Sequence, residues 1–321
     1  MKFRKIIFML LLISATSPAE LTGQLPPRLR RNYPSRQSTS STQNKTVEFD
    51  LSYSFFAPKE TTKIKLIVVL PQTLQDKQEI LSIKYSQKPS RTFRVNGNRY
   101  AEFVFLRPKK RTKLKISVKA RLFRYDLLTA GKKNGREYYE QSELEEYLKR
   151  EKYIEKDNPK IRQIAENIEG QTEVEIVNNI FNYVIDNLKY HSHSGKDWGA
   201  LKALKKKKGD CSEYSDLFIA LCRAKNIPAK FISGYIRRPD SARSKHNWAE
   251  VYLQKYGWVP FDPTTGDINN RIFRKMAFER LRPVYIYFSN IRNDEVLNNY
   301  YFAGYTYWGD KPRLKDSIKF K

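Results

Sequence analysis

The chain has 321 residues, of which 61 are lysine or arginine and 34 are aspartate or glutamate, giving a formal net charge of +27 at pH 7. Hydrophobic residues at 40 % and aromatics at 13 % are enough for packed cores, which excludes a wholly disordered basic tail, and the length suits two domains. No apolar run reaches the roughly 18 residues that a membrane-spanning helix needs, and the two cysteines, Cys211 and Cys222, exclude a disulfide framework and a four-thiolate zinc site.

Residues 1–19 read as a secretory signal. Lys2, Arg4 and Lys5 precede the apolar run Ile6–Ile13, and small residues lead to Ala19, after which cleavage is expected. This points to export, to the periplasm, the cell surface or the medium. Residues 20–45 hold Pro26, Pro27, Arg28, Arg30, Arg31 and a Ser/Thr run, the composition of a basic disordered linker.

From Val47 the texture changes to strands. Val47, Phe49, Leu51, Tyr53 and Phe55 alternate with Glu48, Asp50, Ser52 and Ser54, and Leu114, Ile116, Val118, Ala120 and Leu122 alternate with Lys113, Lys115, Lys119 and Arg121. Between them Asn96-Gly97 marks a hairpin. A small all-β, sandwich-like domain is expected over 46–126, with outward lysines suited to guarding strand edges. A helical connector is expected over 127–171.

The stretch 172–321 is read as an α+β domain, with helices packed on an antiparallel sheet. Thr172 and Glu175 have capping-box spacing, and Ile176, Val177, Ile180, Phe181, Val184, Ile185 and Leu188 share one helical face. A second helix runs from Cys211 to about Lys225, and strands follow at 230–236, 247–253 and 258–261. Pro283–Phe288 and Tyr300–Trp308 are read as strands closing this domain.

Gly209-Asp210-Cys211 puts a cysteine where a glycine turn meets an apolar helix, and the free N–H groups of a helix start favour a thiolate and can hold an oxyanion. Cys222 lies within Leu217–Leu221 and its helix continuation, as a small buried hydrophobe does. The two stand eleven residues apart; on one helix that is roughly 16 Å, beyond the ~7 Å a disulfide can bridge. His246 opens a strand and Asp262 follows the next one, so a hairpin can bring them together, although spacing leaves the register open. A thiol, a base and a group that orients the base are the parts of a nucleophilic site.

Three blocks, Gly209–Tyr235 (GDCSEYSDLFIALCRAKNIPAKFISGY), His246–Leu253 (HNWAEVYL) and Trp258–Thr264 (WVPFDPT), closely resemble the transglutaminase-like superfamily over about 172–265. The resemblance implies a papain-like core, with Cys211 as nucleophile, His246 as general base and Asp262 as orienting group. A bacterial branch commonly carries a sandwich-like domain ahead of that core. The resemblance also implies an upstream aromatic that lines the site or assists the oxyanion; Trp198 and Tyr190 are the candidates, weighed against plain core packing.

The expected function is an exported cysteine-dependent amide-bond hydrolase or acyltransferase, a peptidase or amidase acting on a peptide or protein substrate. A protein-glutamine transglutaminase or deamidase is the alternative in the same family; the calcium-dependent cross-linkers carry further sandwiches that the last fifty-odd residues are too short to form. A different class is a non-catalytic envelope module binding anionic polymers, suggested by the net charge. No specific nucleic-acid motif is present. No cofactor is expected, and no metal: His191 and His193 have no thiolate or acidic cluster beside them in the sequence. Glu250 is read as a cross-strand partner of a lysine, Lys205–Lys208 as a solvated helix end, and Arg237–Lys245 as a loop bordering the substrate groove.

Overall fold

The computed structural model describes residues 44–130, 140–193, 197–238 and 244–321, all within one compact unit, Thr42–Lys321. The expected signal segment, nearly all of the linker and part of the loop 237–245 lie outside the described residues. Asn44 and Lys45, expected in the linker, already pair with Phe123 and Leu122. No described helix is long and apolar enough to cross a membrane.

Six strands open the fold: β1 (Asn44–Phe56), β2 (Lys63–Leu70), β3 (Gln78–Tyr85), β4 (Arg91–Val95), β5 (Asn98–Leu106) and β6 (Arg111–Phe123). The alternation in β1 and β6 is obeyed throughout, with the apolar set buried and the polar set outward. Asn96 and Gly97 join β4 to β5 with φ of 47° and 78°, the two positive values that a two-residue hairpin of matching twist requires.

The connector carries short helical pieces at Leu127–Ala130 and Gln141–Leu148 and the helix α1 (Pro159–Glu166). Then come α2 (Glu173–Asn187), α3 (Gly199–Lys206), α4 (Cys211–Ala224), β7 (Ala229–Ile236), β8 (Lys245–Leu253), β9 (Gly257–Phe261), α5 (Arg271–Glu279), β10 (Tyr285–Ser289), β11 (Ala303–Trp308) and β12 (Arg313–Phe320). Thr172 Oγ1 accepts from Glu175 N at 3.2 Å, and the Glu175 carboxylate accepts from Gln171 N at 2.7 Å, so the box at the start of α2 closes one residue further out than its simplest form. β9, β8, β7 and β10 form an antiparallel sheet in that order. Its Ala249, Val251 and Leu253 face share a core with α2, α3 and α4.

The strands expected to close the catalytic domain divide. β10 does join β7, but β11 pairs with β2 and β12 with β1. The sandwich thus has two four-stranded sheets, β12-β1-β6-β3 and β11-β2-β5-β4. The physical reason is aromatic packing: Tyr305 meets Phe55 edge-on at 5.3 Å and Phe320 lies 5.9 Å from Phe49, so the last strands find their hydrophobic partners in the sandwich. β6 lies between β1 and β3, with β3 alongside it from Ile116 to Leu122, so Lys119 and Arg121 are on an inner stretch and do not guard an edge.

The sandwich and the β9-β8-β7-β10 sheet are joined by amides. Gln78 Nε2 donates to Tyr287 O at 2.9 Å while its Oε1 accepts from Tyr287 N at 2.9 Å, and Asn98 Nδ2 donates to Ser289 Oγ at 2.8 Å. Gln78→Leu would leave both backbone groups of buried Tyr287 unpaired. It is expected to lower unfolding free energy by about 3 kcal/mol; a urea titration showing a loss below about 0.5 kcal/mol would contradict this role.

Candidate active site

Cys211 is the first residue of α4. The turn before it is fixed by a reciprocal cap: Asp210 Oδ1 accepts from Ser212 N at 2.8 Å, and Glu213 Oε2 accepts from Asp210 N at 3.0 Å. Gly209 is required here by space, since a Cβ would stand 2.4 Å from Glu213 Cβ. Cys211 is half-buried while Cys222 is buried, and burial pushes the Cys222 thiol well above its ordinary range.

His246 is the second residue of β8. The register Ala249↔Phe261 puts Asp262 abreast of Trp248, on the face that His246 also occupies. Asp262 Oδ2 lies 2.8 Å from His246 Nε2. The carboxylate is buried and further satisfied by the Tyr285 hydroxyl, donating to Oδ2 at 2.6 Å, and by Thr265 N, donating to Oδ1 at 3.1 Å. With Nε2 engaged, the other ring nitrogen is left for Cys211. Asn247, on the opposite face of β8, donates from Nδ2 to Ser212 Oγ at 3.0 Å and stands 3.9 Å from Cys211 Sγ.

The electrostatics follow from these contacts. Burial opposes charging of the His246 ring, but the Asp262 charge and hydrogen bond outweigh it. Cys211 adds to them, and the pKa rises to about 10. Burial likewise pushes Asp262 up, yet His246, Tyr285 and the Thr265 amide together hold it below the usual carboxylate range. The geometry and charges favour an imidazolium bound to a carboxylate.

Trp198 and Tyr190 take flanking positions. The Trp198 ring stacks on His193 at 4.2 Å and 9°, with Lys202 and Lys206 Nζ over it at 5.3 and 5.2 Å, and its backbone N donates to Glu213 Oε1 at 2.9 Å. Tyr190, 56 % exposed, lies on a short parallel bridge to Gly209. Both brace the turn that carries Cys211.

The fold supplies His193 with the acids that its sequence neighbourhood lacks. Donor atoms of His193, Asp210 and Glu213 lie within 4.8 Å of one another, but the Glu213 oxygens already accept from two backbone N–H groups and meet His193 Nε2 at 3.0 Å. Glu250 is buried between Lys230 at 3.0 Å and Lys77 at 2.6 Å, the first its cross-strand partner.

Sequence reasoning missed Tyr285, Asn247 and a buried group behind the helix. Arg292 binds both Asp216 oxygens at 2.7 and 2.9 Å and donates to Tyr301 Oη at 2.9 Å. Tyr301 in turn reaches Asp197 through a short hydrogen bond and Ser212 Oγ at 3.4 Å. Asn247 stands inside a quoted block, so its position was visible; Tyr285 and Arg292 carry no local signal.

Residues 162–263 match the model of the transglutaminase-like superfamily. This segment is similar to a transglutaminase-like core. In the curated proteins the chain is 30 % identical over 104 residues to the uncharacterized protein YebA of Bacillus subtilis (strain 168), covering 28 % of this chain and 14 % of that one; the chain thus matches about a seventh of that relative's length. Among solved structures, a "putative cysteine protease" from Cytophaga hutchinsonii superposes with a TM-score of 0.55 at 18 % identity, covering 86 % of this chain and 91 % of the other. It shares the fold. The periplasmic domain of TgpA from Pseudomonas aeruginosa aligns at 12 % identity over 76 % of this chain and all of that one, with a TM-score of 0.39, too low to bear on the fold.

The raised pKa of His246 sets a direction for pH. Stability from its charged form is fully present below the unfolded value near 6.5 and is lost as pH rises through about 10. NMR titration of His246 is expected to centre near pH 10 in the wild type and below about 7 in Asp262→Asn; equal midpoints in the two would contradict the pairing.

Proposed function

We propose that the chain is an exported cysteine-dependent amide-bond enzyme, a peptidase or amidase, with Cys211 as nucleophile, His246 as general base and acid, and Asp262 as orienting group. The observation that carries this reading is the buried His246–Asp262 pair, hydrogen-bonded at 2.8 Å, beside a half-buried cysteine at a helix start. The match of residues 162–263 to the transglutaminase-like superfamily supports it. Export rests on the signal-like composition of residues 1–19.

In this reading the Cys211 thiolate attacks the amide carbonyl carbon, and negative charge develops on the carbonyl oxygen. The backbone N–H at the start of α4 and Asn247 Nδ2 are donors within reach of that oxygen; the Ser212 N–H is already engaged by Asp210. Collapse breaks the C–N bond as His246 gives its proton to the leaving amine, and a thioester remains. Water then attacks the thioester while His246 takes one of its protons, and collapse expels the Cys211 thiolate and releases the acid, restoring the starting thiolate and protonated imidazole. Asp262 keeps the imidazole in one orientation and favours its charged form throughout.

In this reading water is the acceptor that resolves the thioester. A protein-glutamine transglutaminase or deamidase uses the same thioester, and an added alkylamine separates the two outcomes. Peptide and glutamine-amide libraries are to be incubated with the protein with and without amine and read by mass spectrometry. Hydrolysed products with no amine adduct, reduced at least about 10³-fold in Cys211→Ala, are expected. Full turnover in Cys211→Ala would rule the mechanism out, and predominant amine adducts would favour the cross-linking alternative.

A further inference from the structure

Ser212, the second residue of α4, sits between two polar groups from different parts of the chain. Asn247 Nδ2 donates to its Oγ at 3.0 Å, and Tyr301 Oη lies 3.4 Å from the same atom. Ser212 and Asn247 are both buried. Tyr301 belongs to the segment between β10 and β11. The chain turns into it through Asn298 and Asn299, both left-handed with φ of 54° and 63°, a conformation that asparagine tolerates. The Tyr301 ring lies against Phe231 and Phe302, contacts that a phenylalanine ring makes equally well. Arg292 is paired with both oxygens of Asp216 and stands 2.8 Å from Asp197, so its charge is met without the Tyr301 hydroxyl. Neither packing nor charge pairing therefore explains that hydroxyl.

The direction of the hydrogen bonds follows from counting protons. A phenol has one proton to give. The Asp197 carboxylate is a stronger acceptor than a neutral hydroxyl and takes it in the short hydrogen bond. Burial pushes the Tyr301 hydroxyl well above its ordinary range, so the proton stays on the phenol. Arg292 Nη1 donates to Tyr301 Oη at 2.9 Å, which leaves one lone pair on that oxygen. Towards Ser212 the Tyr301 oxygen can then only accept. The Ser212 hydroxyl points its proton at Tyr301 and its lone pairs at Asn247, and only the Nδ2 end of the amide fits that place. With the hydroxyl turned the other way, Ser212 would donate to Asn247 Oδ1. The amide would then present a carbonyl oxygen beside Cys211, where Nδ2 now stands 3.9 Å from Sγ.

We propose that Tyr301 is a positioning residue: through Ser212, its hydroxyl holds the Asn247 amide with its N–H groups towards Cys211. There one N–H can meet the oxygen that turns negative when the thiolate attacks a carbonyl. This role rests on the cysteine chemistry proposed above and adds what orients the side-chain donor of that site. An N–H aimed at a developing oxyanion stabilises it, whereas a carbonyl lone pair repels it. Loss of the alignment therefore slows acyl chemistry and leaves the thiolate itself unchanged.

Two reactions of Cys211 in the full chain separate these effects. In acylation by p-nitrophenyl acetate the thiolate attacks the acetyl carbonyl carbon, an oxyanion forms, and the C–O bond breaks as nitrophenolate leaves. In alkylation by iodoacetamide the sulfur displaces iodide at a saturated carbon, and no oxyanion forms. Tyr301→Phe and Ser212→Ala are each expected to slow acylation at least about tenfold while changing alkylation less than about twofold. In an Asn247→Ala background, Tyr301→Phe is expected to change acylation less than about twofold, because the group it aligns is gone. Unchanged acylation in Tyr301→Phe, equal slowing of both reactions, or a full further loss in the Asn247→Ala background would each overturn the positioning role. Acylation no faster in the wild type than in Cys211→Ala would instead refute the cysteine reading, and this role with it.

Discussion

The buried carboxylate of Asp262 constrains the rest of the structure. A charge with no solvent must be met on every side, and here it is met by the His246 ring, the Tyr285 hydroxyl and the Thr265 amide. Each donor comes from a different element. β8 brings the imidazole, β10 brings the phenol, and the turn after β9 brings the amide. The sheet order β9-β8-β7-β10 follows this requirement in space, although Tyr285 stands two strands away from His246 in the sheet. The sandwich enters through β10, because Gln78 and Asn98 hold Tyr287 and Ser289 in place.

A second buried charge holds the helix side. Asp216 lies within α4 and is gripped by both arms of Arg292, whose neighbour Tyr301 reaches the first turn of the helix at Ser212. With the Asp210–Glu213 cap and the Trp198–His193 stack, this fixes where Cys211 presents its sulfur. The thiol and the imidazole are therefore set by two polar networks on two layers, and Asn247, bonded to Ser212, ties one network to the other.

Much of this was legible in the sequence, for local reasons. The alternation of β1 and β6, the Asn96-Gly97 turn, the box at Thr172 and the glycine-led helix at Cys211 are short-range signals, and each holds in the structure. Cys211, His246 and Asp262 stand in blocks whose order resembles the transglutaminase-like superfamily, and the hairpin register then brings the last two together. What the sequence did not disclose is long-range. Nothing near Tyr305 or Phe320 says that their strands pair with β2 and β1 at the far side of the chain, and nothing near Tyr285 says that its hydroxyl meets Asp262. His193 was set aside for want of neighbouring acids, which the fold brings from α4. Pairings over more than two hundred residues are chosen by the packing of the whole, not by any segment's own pattern.

The proposed chemistry requires that His246 activate Cys211. The most direct measurement is the rate of alkylation of each cysteine at neutral pH, read peptide by peptide by mass spectrometry, in the wild type and in His246→Ala. Cys211 is expected to react at least about tenfold faster in the wild type than in the variant, while buried Cys222 stays unlabelled in both until the protein is unfolded. Equal rates at Cys211 with and without the histidine would contradict an activated thiol, and with it the cysteine chemistry assigned to this site.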